Sequence, residues 1–243
     1  MGQIFHIRET DSTSNYLKEL LSRTEVEEGT IVFADFQTAG KGQRGNSWES
    51  EAKKNLLFSI VFYPDTVRAG EQFVISQIVS LAVVKFLEKY TDDITIKWPN
   101  DIYWKEKKIC GILIENTLNG DKIIESVCGI GININQTEYV SNAPNPVSLS
   151  QITGEEYDLS VLLGEVGQAF SLYYDYIRSG KEKTVEEEYK SFLFRRQGYY
   201  WYDDGEKNFQ AYIKDIKPNG LLVLETDTGE ERSFAFKEVR YVL

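Results

Sequence analysis

After Arg196 the chain changes texture, and that break limits the folds open to it. Upstream, apolar residues recur at both strand and helix spacing. Downstream they come only in short runs, at 199–202, 208–216, 221–226, 231–236 and 239–242. Asp203-Asp204-Gly205, Pro218-Asn219-Gly220 and Asp227-Thr228-Gly229 separate the runs with turn chemistry. About 45 residues of this kind predict a small β-barrel. The expected organisation is a first unit over 1–195 and an all-β unit over 196–243.

The first unit reads as α+β. Residues 4–8, 30–36, 55–63 and 94–98 are strand-like, the last two runs closed by Pro64 and Pro99. Residues 109–115 and 122–134 form a hairpin signal across Asn119-Gly120. Helical spacing covers 69–90, with Phe73, Ile78, Val83 and Leu87 on a broad apolar face. Further helices are expected after Asp11-Ser12-Thr13, over 159–177 behind an Asp158 cap, and over 183–194.

Charge narrows the partners. Acidic residues number 38 against 27 basic, a net charge of −11, which argues against a nucleic-acid backbone as main ligand. One histidine, His6, makes a zinc site or a serine–histidine triad hard to assemble. Cys110 and Cys128 lie in apolar runs and read as buried thiols. No run approaches the roughly 18 apolar residues of a membrane helix, and the N-terminus lacks the features of a signal peptide. A cytoplasmic protein without a membrane anchor is expected.

Three segments carry candidate chemistry. In Gly40-Lys41-Gly42-Gln43-Arg44-Gly45-Asn46-Ser47-Trp48, glycines admit an anion to the backbone and cations neutralise it. A P-loop pattern is absent. A flexible surface loop is the plainer reading, with Trp48 either a core anchor or a lid over a ligand. In the second segment, Lys97-Trp98-Pro99-Asn100-Asp101 ends a strand, and Lys105-Glu106-Lys107-Lys108 leads into Ile109. That basic run reads as a solvated turn, except that Lys108 immediately precedes a strand and can point inward. In Gly129-Ile130-Gly131-Ile132-Asn133, glycines inside a strand mark close approach of a ligand or of a packed helix. Ser12 and Thr13 are the weakest candidates, because a helix cap accounts for both hydroxyls.

Together these segments resemble the biotin–protein ligases (biotin–[acetyl-CoA-carboxylase] ligases) over nearly the whole chain. The resemblance rests on Ser12-Thr13 with Asn15, the basic glycine loop ending in Trp48, Lys-Trp-Pro-Asn-Asp at 97–101, Lys-x-x-Gly-Ile-Leu-x-Glu at 108–115, and Gly-Ile-Gly-Ile-Asn at 129–133. It implies a mixed sheet flanked by helices, of the class II aminoacyl-tRNA synthetase-like kind, followed by an SH3-like barrel. It further implies formation of biotinyl-5′-AMP from biotin and ATP, with Mg²⁺, and transfer of biotin to a lysine of a carboxylase's biotin carboxyl carrier domain.

The same resemblance assigns Ser12, Thr13 and Gln37 to the biotin ureido ring. Gly40, Lys41, Gly111 and Gly129 would line the biotin site. Gln43, Arg44, Trp48, Asn100, Ile132 and Asn133 would meet the nucleotide. Lys108 would bridge the biotin carboxylate and the α-phosphate. Asn100 and Asp101 would hold Mg²⁺ and phosphate oxygens, or help with the acceptor lysine. Many members carry arginines where this chain has Lys41, Gln43 and Asn46. A form without a DNA-binding domain is expected, as monomer or homodimer. The neighbouring alternatives are a lipoate or octanoate ligase and a non-catalytic biotin sensor.

Overall fold

A computed structural model describes residues 2–141 and 144–242, with Arg44 by its backbone alone. The first unit begins β1 (Ile4–Thr10), α1 (Thr13–Arg23), β2 (Ile31–Gln37), β3 (Leu56–Phe62) and α2 (Phe73–Leu87). It continues β4 (Ile94–Lys97), β5 (Asp101–Trp104), β6 (Lys107–Asn119) and β7 (Lys122–Ile132). Helices α3 (Leu149–Thr153), α4 (Leu159–Arg178) and α5 (Glu182–Ser191) follow. One seven-stranded sheet results, in the order β1-β2-β3-β7-β6-β5-β4. Among these strands only the β1–β2 pair, joined through the crossover helix α1, is parallel; β4–β5, β5–β6 and β6–β7 are consecutive antiparallel pairs.

The sheet is covered on both faces, which explains why β3 is buried at every residue. Alternation sends Phe58, Ile60 and Phe62 toward the large core, with α2 and α4. Val61 faces the other way, onto a small cluster with Leu17 of α1, Val32 and Val127. Ser59 shares that second face, bonded to hydroxyls of α1.

The C-terminal unit is a five-stranded antiparallel sheet in the order β11-β10-β9-β8-β12. Its strands are β8 (Tyr200–Asp203), β9 (Asn208–Ile216), β10 (Leu222–Thr226), β11 (Glu231–Phe234) and β12 (Arg240–Tyr241). It does not pack apart from the first unit. Phe209, Ile213, Leu222 and Phe234 belong to the same hydrophobic cluster as α2 and α4. Trp98 Nε1 donates to the Gly220 carbonyl at 3.0 Å, and Lys190 pairs with Asp215 at 2.5 Å.

One expectation needs correction, and two elements are additions. Residues Ala69–Leu87 are long and apolar enough to cross a membrane, but nearly all of α2 is buried between the sheet and the other helices. Strand β5 follows Lys97 after only a tight turn and pairs with β4, an element the sequence reading does not include. Helix α3 carries a capping box, Ser148 with Gln151, which the Ser-x-x-Gln spacing offered and the sequence reading missed.

Candidate active site

A cavity of about 640 Å³ opens between the start of α1, the glycine-rich loop and the sheet. Ser12, Thr13, Gln37, Lys41, Gln43, Trp48, Asp101, Lys108, Gly111, Gly129 and Asn133 all line it. Residues far apart in sequence thus converge, because their strands are neighbours in the sheet.

At one end lies a hydroxyl–amide network. Ser12 sits at the N-cap of α1, yet its side chain makes no capping bond, and Asp11 Oδ1 accepts from its backbone N–H at 2.7 Å instead. Thr13 donates from backbone N–H and from Oγ1 to Gln37 Oε1, at 2.7 and 3.1 Å. Thr13 Oγ1 and Ser14 Oγ both lie within hydrogen-bond distance of Ser59 Oγ, at 2.8 and 3.0 Å. The cap account of the two hydroxyls is therefore incorrect: Ser12 holds the N-cap position without a side-chain capping bond, and Thr13 Oγ1 is tied to Gln37 and Ser59 while both residues line the cavity. Gly129 lets this network lie close to the sheet, because a Cβ there would stand 2.5 Å from Ser14 Oγ.

The glycine-rich loop is folded. Gly42 N–H donates to the Asn46 carbonyl at 2.7 Å and Trp48 N–H to Gly40 at 2.9 Å, with a bridge between Lys41 and Ser47. At its tip Gln43 Nε2 donates to Asn100 Oδ1 at 2.7 Å and to the Ile112 carbonyl at 3.2 Å. Lys41 donates to Asn15 Oδ1 at 2.5 Å. The Arg44 side chain lies outside the described residues. Trp48 lays its indole flat on the hairpin of β6 and β7. Gly111 and Gly131 are cross-strand partners, and a Cβ on either would stand 2.6 or 2.5 Å from the indole. One glycine of each motif is thus explained by the same ring. Trp48 Nε1 is buried without a partner among the described residues.

The charged centre lies one strand further across. Lys108 is the second residue of β6 rather than its prelude, and alternation leaves Lys107 exposed while Lys108 turns inward. Its ammonium meets Asp101 Oδ1 at 2.7 Å and sits 5.8 Å from the Trp48 ring. Its peptide is fixed by the 145–147 segment: Lys108 N–H donates to the Asn145 carbonyl at 2.9 Å, and Val147 N–H to the Lys108 carbonyl at 3.0 Å. Two surrounding carboxyl-bearing or phenolic groups respond to burial. Glu49 is raised by burial, but hydrogen bonds from Ser141 and Val140 outweigh this and hold it below the ordinary carboxylate value. The Tyr103 phenol is pushed up by burial and by the charge of Asp101.

Three assigned residues do not reach the cavity as expected. Ile132 belongs to the core on the opposite face, since alternation along β7 puts Gly129 and Gly131 on the cavity side. Gly40 packs against the Trp48 carbonyl and the Gln37 amide. Asn100 is buried and accepts from Gln43 Nε2. Conversely, Ser59, Lys97, Tyr103 and Phe236 line or support the cavity and were not anticipated. Ser59 and Lys97 left a trace, as polar residues within apolar strand runs. Phe236 left none, because only packing of the C-terminal sheet brings it to the cavity.

Comparison with known proteins agrees with this architecture. Residues 6–133 match the Biotin/lipoate A/B protein ligase family. The bifunctional ligase/repressor BirA of Bacillus spizizenii is 32% identical over 244 residues, 97% of this chain and 73% of that protein. The Biotin–protein ligase of Homo sapiens is 33% identical over 141 residues, 55% of this chain and 19% of that one. The structure of biotin protein ligase from Aquifex aeolicus in complex with biotin and ATP superposes with a TM-score of 0.80, at 27% identity over 99% of both chains. With the fold, the motif order and these likenesses in agreement, the chain belongs to the Biotin/lipoate A/B protein ligase family.

Proposed function

We propose that this protein joins biotin to ATP as biotinyl-5′-AMP and transfers the biotinyl group to a lysine of a carboxylase's biotin carboxyl carrier domain. The observation that carries the reading is the Lys108–Asp101 pair at 2.7 Å, set in one cavity beside the Thr13–Gln37–Ser59 network. A ureido ring offers N–H donors and a carbonyl acceptor, and this network offers hydroxyls and an amide to match them. A carboxylate attacking an α-phosphate brings two anions together, so catalysis rests on positioning and charge neutralisation. Lys108 is the group that supplies this charge, exchanging Asp101 for the ligand.

The Trp48 indole and its glycine loop exclude water from the mixed anhydride. Gln43 holds the loop to Asn100 without a charge. In the transfer step, Asp101, once released by Lys108, receives the ammonium of the acceptor lysine. Among the described residues no group of three His, Cys, Asp or Glu side chains is gathered for a metal. Mg²⁺ fits this site as an ion held mainly by phosphates, for which one carboxylate such as Asp101 suffices; it would supply charge neutralisation on those phosphates. The reading places catalysis in 1–195 with 196–243 as a supporting β unit, acting in the cytoplasm, where the free thiols of Cys110 and Cys128 are at home.

The test is ATP–pyrophosphate exchange by the purified protein with biotin, lipoate and octanoate offered in turn. Exchange with biotin is the expected result. Exchange with lipoate or octanoate alone would overturn the substrate, and binding of biotin without exchange would indicate a sensor.

A further inference from the structure

Lys97 ends β4, at the far edge of the seven-stranded sheet, and lines the cavity. Its ammonium donates to the Tyr103 hydroxyl at 3.1 Å. It also lies 5.0 Å from the Tyr103 ring centroid and 5.2 Å from that of Tyr241 on β12. Asp101 is its cross-strand partner, but the Asp101 carboxylate is engaged by Lys108. Among the described residues no carboxylate forms an ion pair with Lys97. Burial pulls its pKa down, and the charges of Lys108 and Arg195 add to this against the pull of Asp101. A half-desolvated cation facing a cavity, whose nearest carboxylate is paired elsewhere, is stabilised by an anion placed there. The Tyr103 oxygen accepts from Lys97, which leaves its own O–H to donate to an anion in the cavity that Tyr103 lines.

The order of groups across the sheet gives the anion a place. The hydroxyl–amide network stands on β2 and β3, Gly129 on β7, Lys108 on β6, Asp101 and Tyr103 on β5, and Lys97 on β4. Lys108 and Lys97 are two strand spacings apart, about 10 Å along the sheet, before their side chains converge on the cavity. A triphosphate chain is shorter than that, so it is the convergence of the two side chains on the cavity that lets Lys108 face its α-phosphorus and Lys97 its far end.

Resting on the reading above, we propose that Lys97 and the Tyr103 hydroxyl bind the β- and γ-phosphates of ATP and hold them as the departing pyrophosphate. In that step a biotin carboxylate oxygen bonds to the α-phosphorus, the bond from that phosphorus to the bridging oxygen breaks, and the electron pair leaves on pyrophosphate. Lys97 stabilises the charge that gathers there. It has no part in the second half-reaction, where the pyrophosphate is gone. Tyr241 and Phe236 close this corner from the C-terminal sheet, so the subsite is complete only with both units.

The experiment uses the full chain with Lys97→Met, Lys97→Arg and Tyr103→Phe. Inorganic pyrophosphate with Mg²⁺ is titrated by calorimetry, and two rates are measured: ATP–pyrophosphate exchange and transfer from preformed biotinyl-5′-AMP to a carrier domain. Lys97→Met is expected to weaken pyrophosphate binding about tenfold or more, the scale of one charge-assisted contact. It should raise the pyrophosphate KM in exchange and leave transfer within about twofold, with Lys97→Arg restoring most of the loss. Unchanged pyrophosphate affinity in a folded Lys97→Met protein, or an equal loss in transfer, would overturn the proposal. Should Lys97→Met fail to fold, Tyr103→Phe decides alone, since unchanged pyrophosphate affinity there also overturns it. A wild-type protein that binds pyrophosphate yet shows no biotin-driven exchange refutes the ligase reading itself, and the leaving-group role with it.

Discussion

Lys108 and Asp101 hold each other at 2.7 Å, and either alone in this cavity would be an uncompensated charge. Lys108→Ala should therefore lower adenylate formation by about a hundredfold or more, the usual cost of a charge partner to a transition state. Single-turnover formation of biotinyl-5′-AMP measures this; a loss below tenfold with the fold intact would reject the role. A second residue-scale test concerns the glycines under Trp48. Gly131→Ala puts a methyl group 2.5 Å from the indole, so the ring must leave the sheet. Trp48 fluorescence should shift to longer wavelength and ATP affinity fall, whereas an unchanged spectrum would show that the ring is not seated there. The motif residues were legible as chemistry in the sequence, but their partners were not. Nothing local tells that Gly111 and Gly131 serve one tryptophan; the β6–β7 register decides it.

At the scale of elements, the segment following β7 is strapped at two points. Glu49, next to Trp48, accepts from Val140 N–H at 2.8 Å and Ser141 N–H at 2.9 Å, and the Lys108 peptide holds 145–147. Tyr139, Ser141 and Pro146 line the cavity, so the strap ties the loop to both functional segments. Glu49→Ala should raise the KM for ATP about tenfold while changing the biotin KM little, as initial-rate kinetics would reveal. The folded carboxyl value of Glu49 lies below its unfolded one. The strap therefore contributes its full stability above the unfolded value and loses it as pH falls through the folded one. Hydrogen exchange at the Val140 and Ser141 amides should show the opening in acid; Glu49→Gln should flatten that dependence. Elements with a strong local signal were readable, such as α4 behind Asp158, whose carboxylate accepts from Ser160 N–H at 2.8 Å. Strand β5 was not, because four residues after a tight turn carry too little periodicity.

Over the whole molecule, the two sheets share a core. Trp98 donates to Gly220, its ring meets Phe236 with centroids 6.2 Å apart, and Phe209 and Leu222 sit in the same cluster as α2. The texture break at Arg196 precedes the strands of the second sheet, but turn residues and short strands say nothing about what those strands pack against. Scanning calorimetry should accordingly give one cooperative transition with equal calorimetric and van't Hoff enthalpies, and two separated transitions would contradict the shared core. Removing 196–243 would expose the Trp98 corner and strip Phe236 and Tyr241 from the cavity. Transfer of biotin to protein is the reaction proposed for this molecule. Intact-mass spectrometry of a biotin carboxyl carrier domain, incubated with this protein, biotin, ATP and Mg²⁺, reads that transfer directly. The predicted result is one biotinyl group on one lysine, dependent on ATP and on Lys108; an unmodified carrier domain beside a folded, ligand-saturated protein would contradict it.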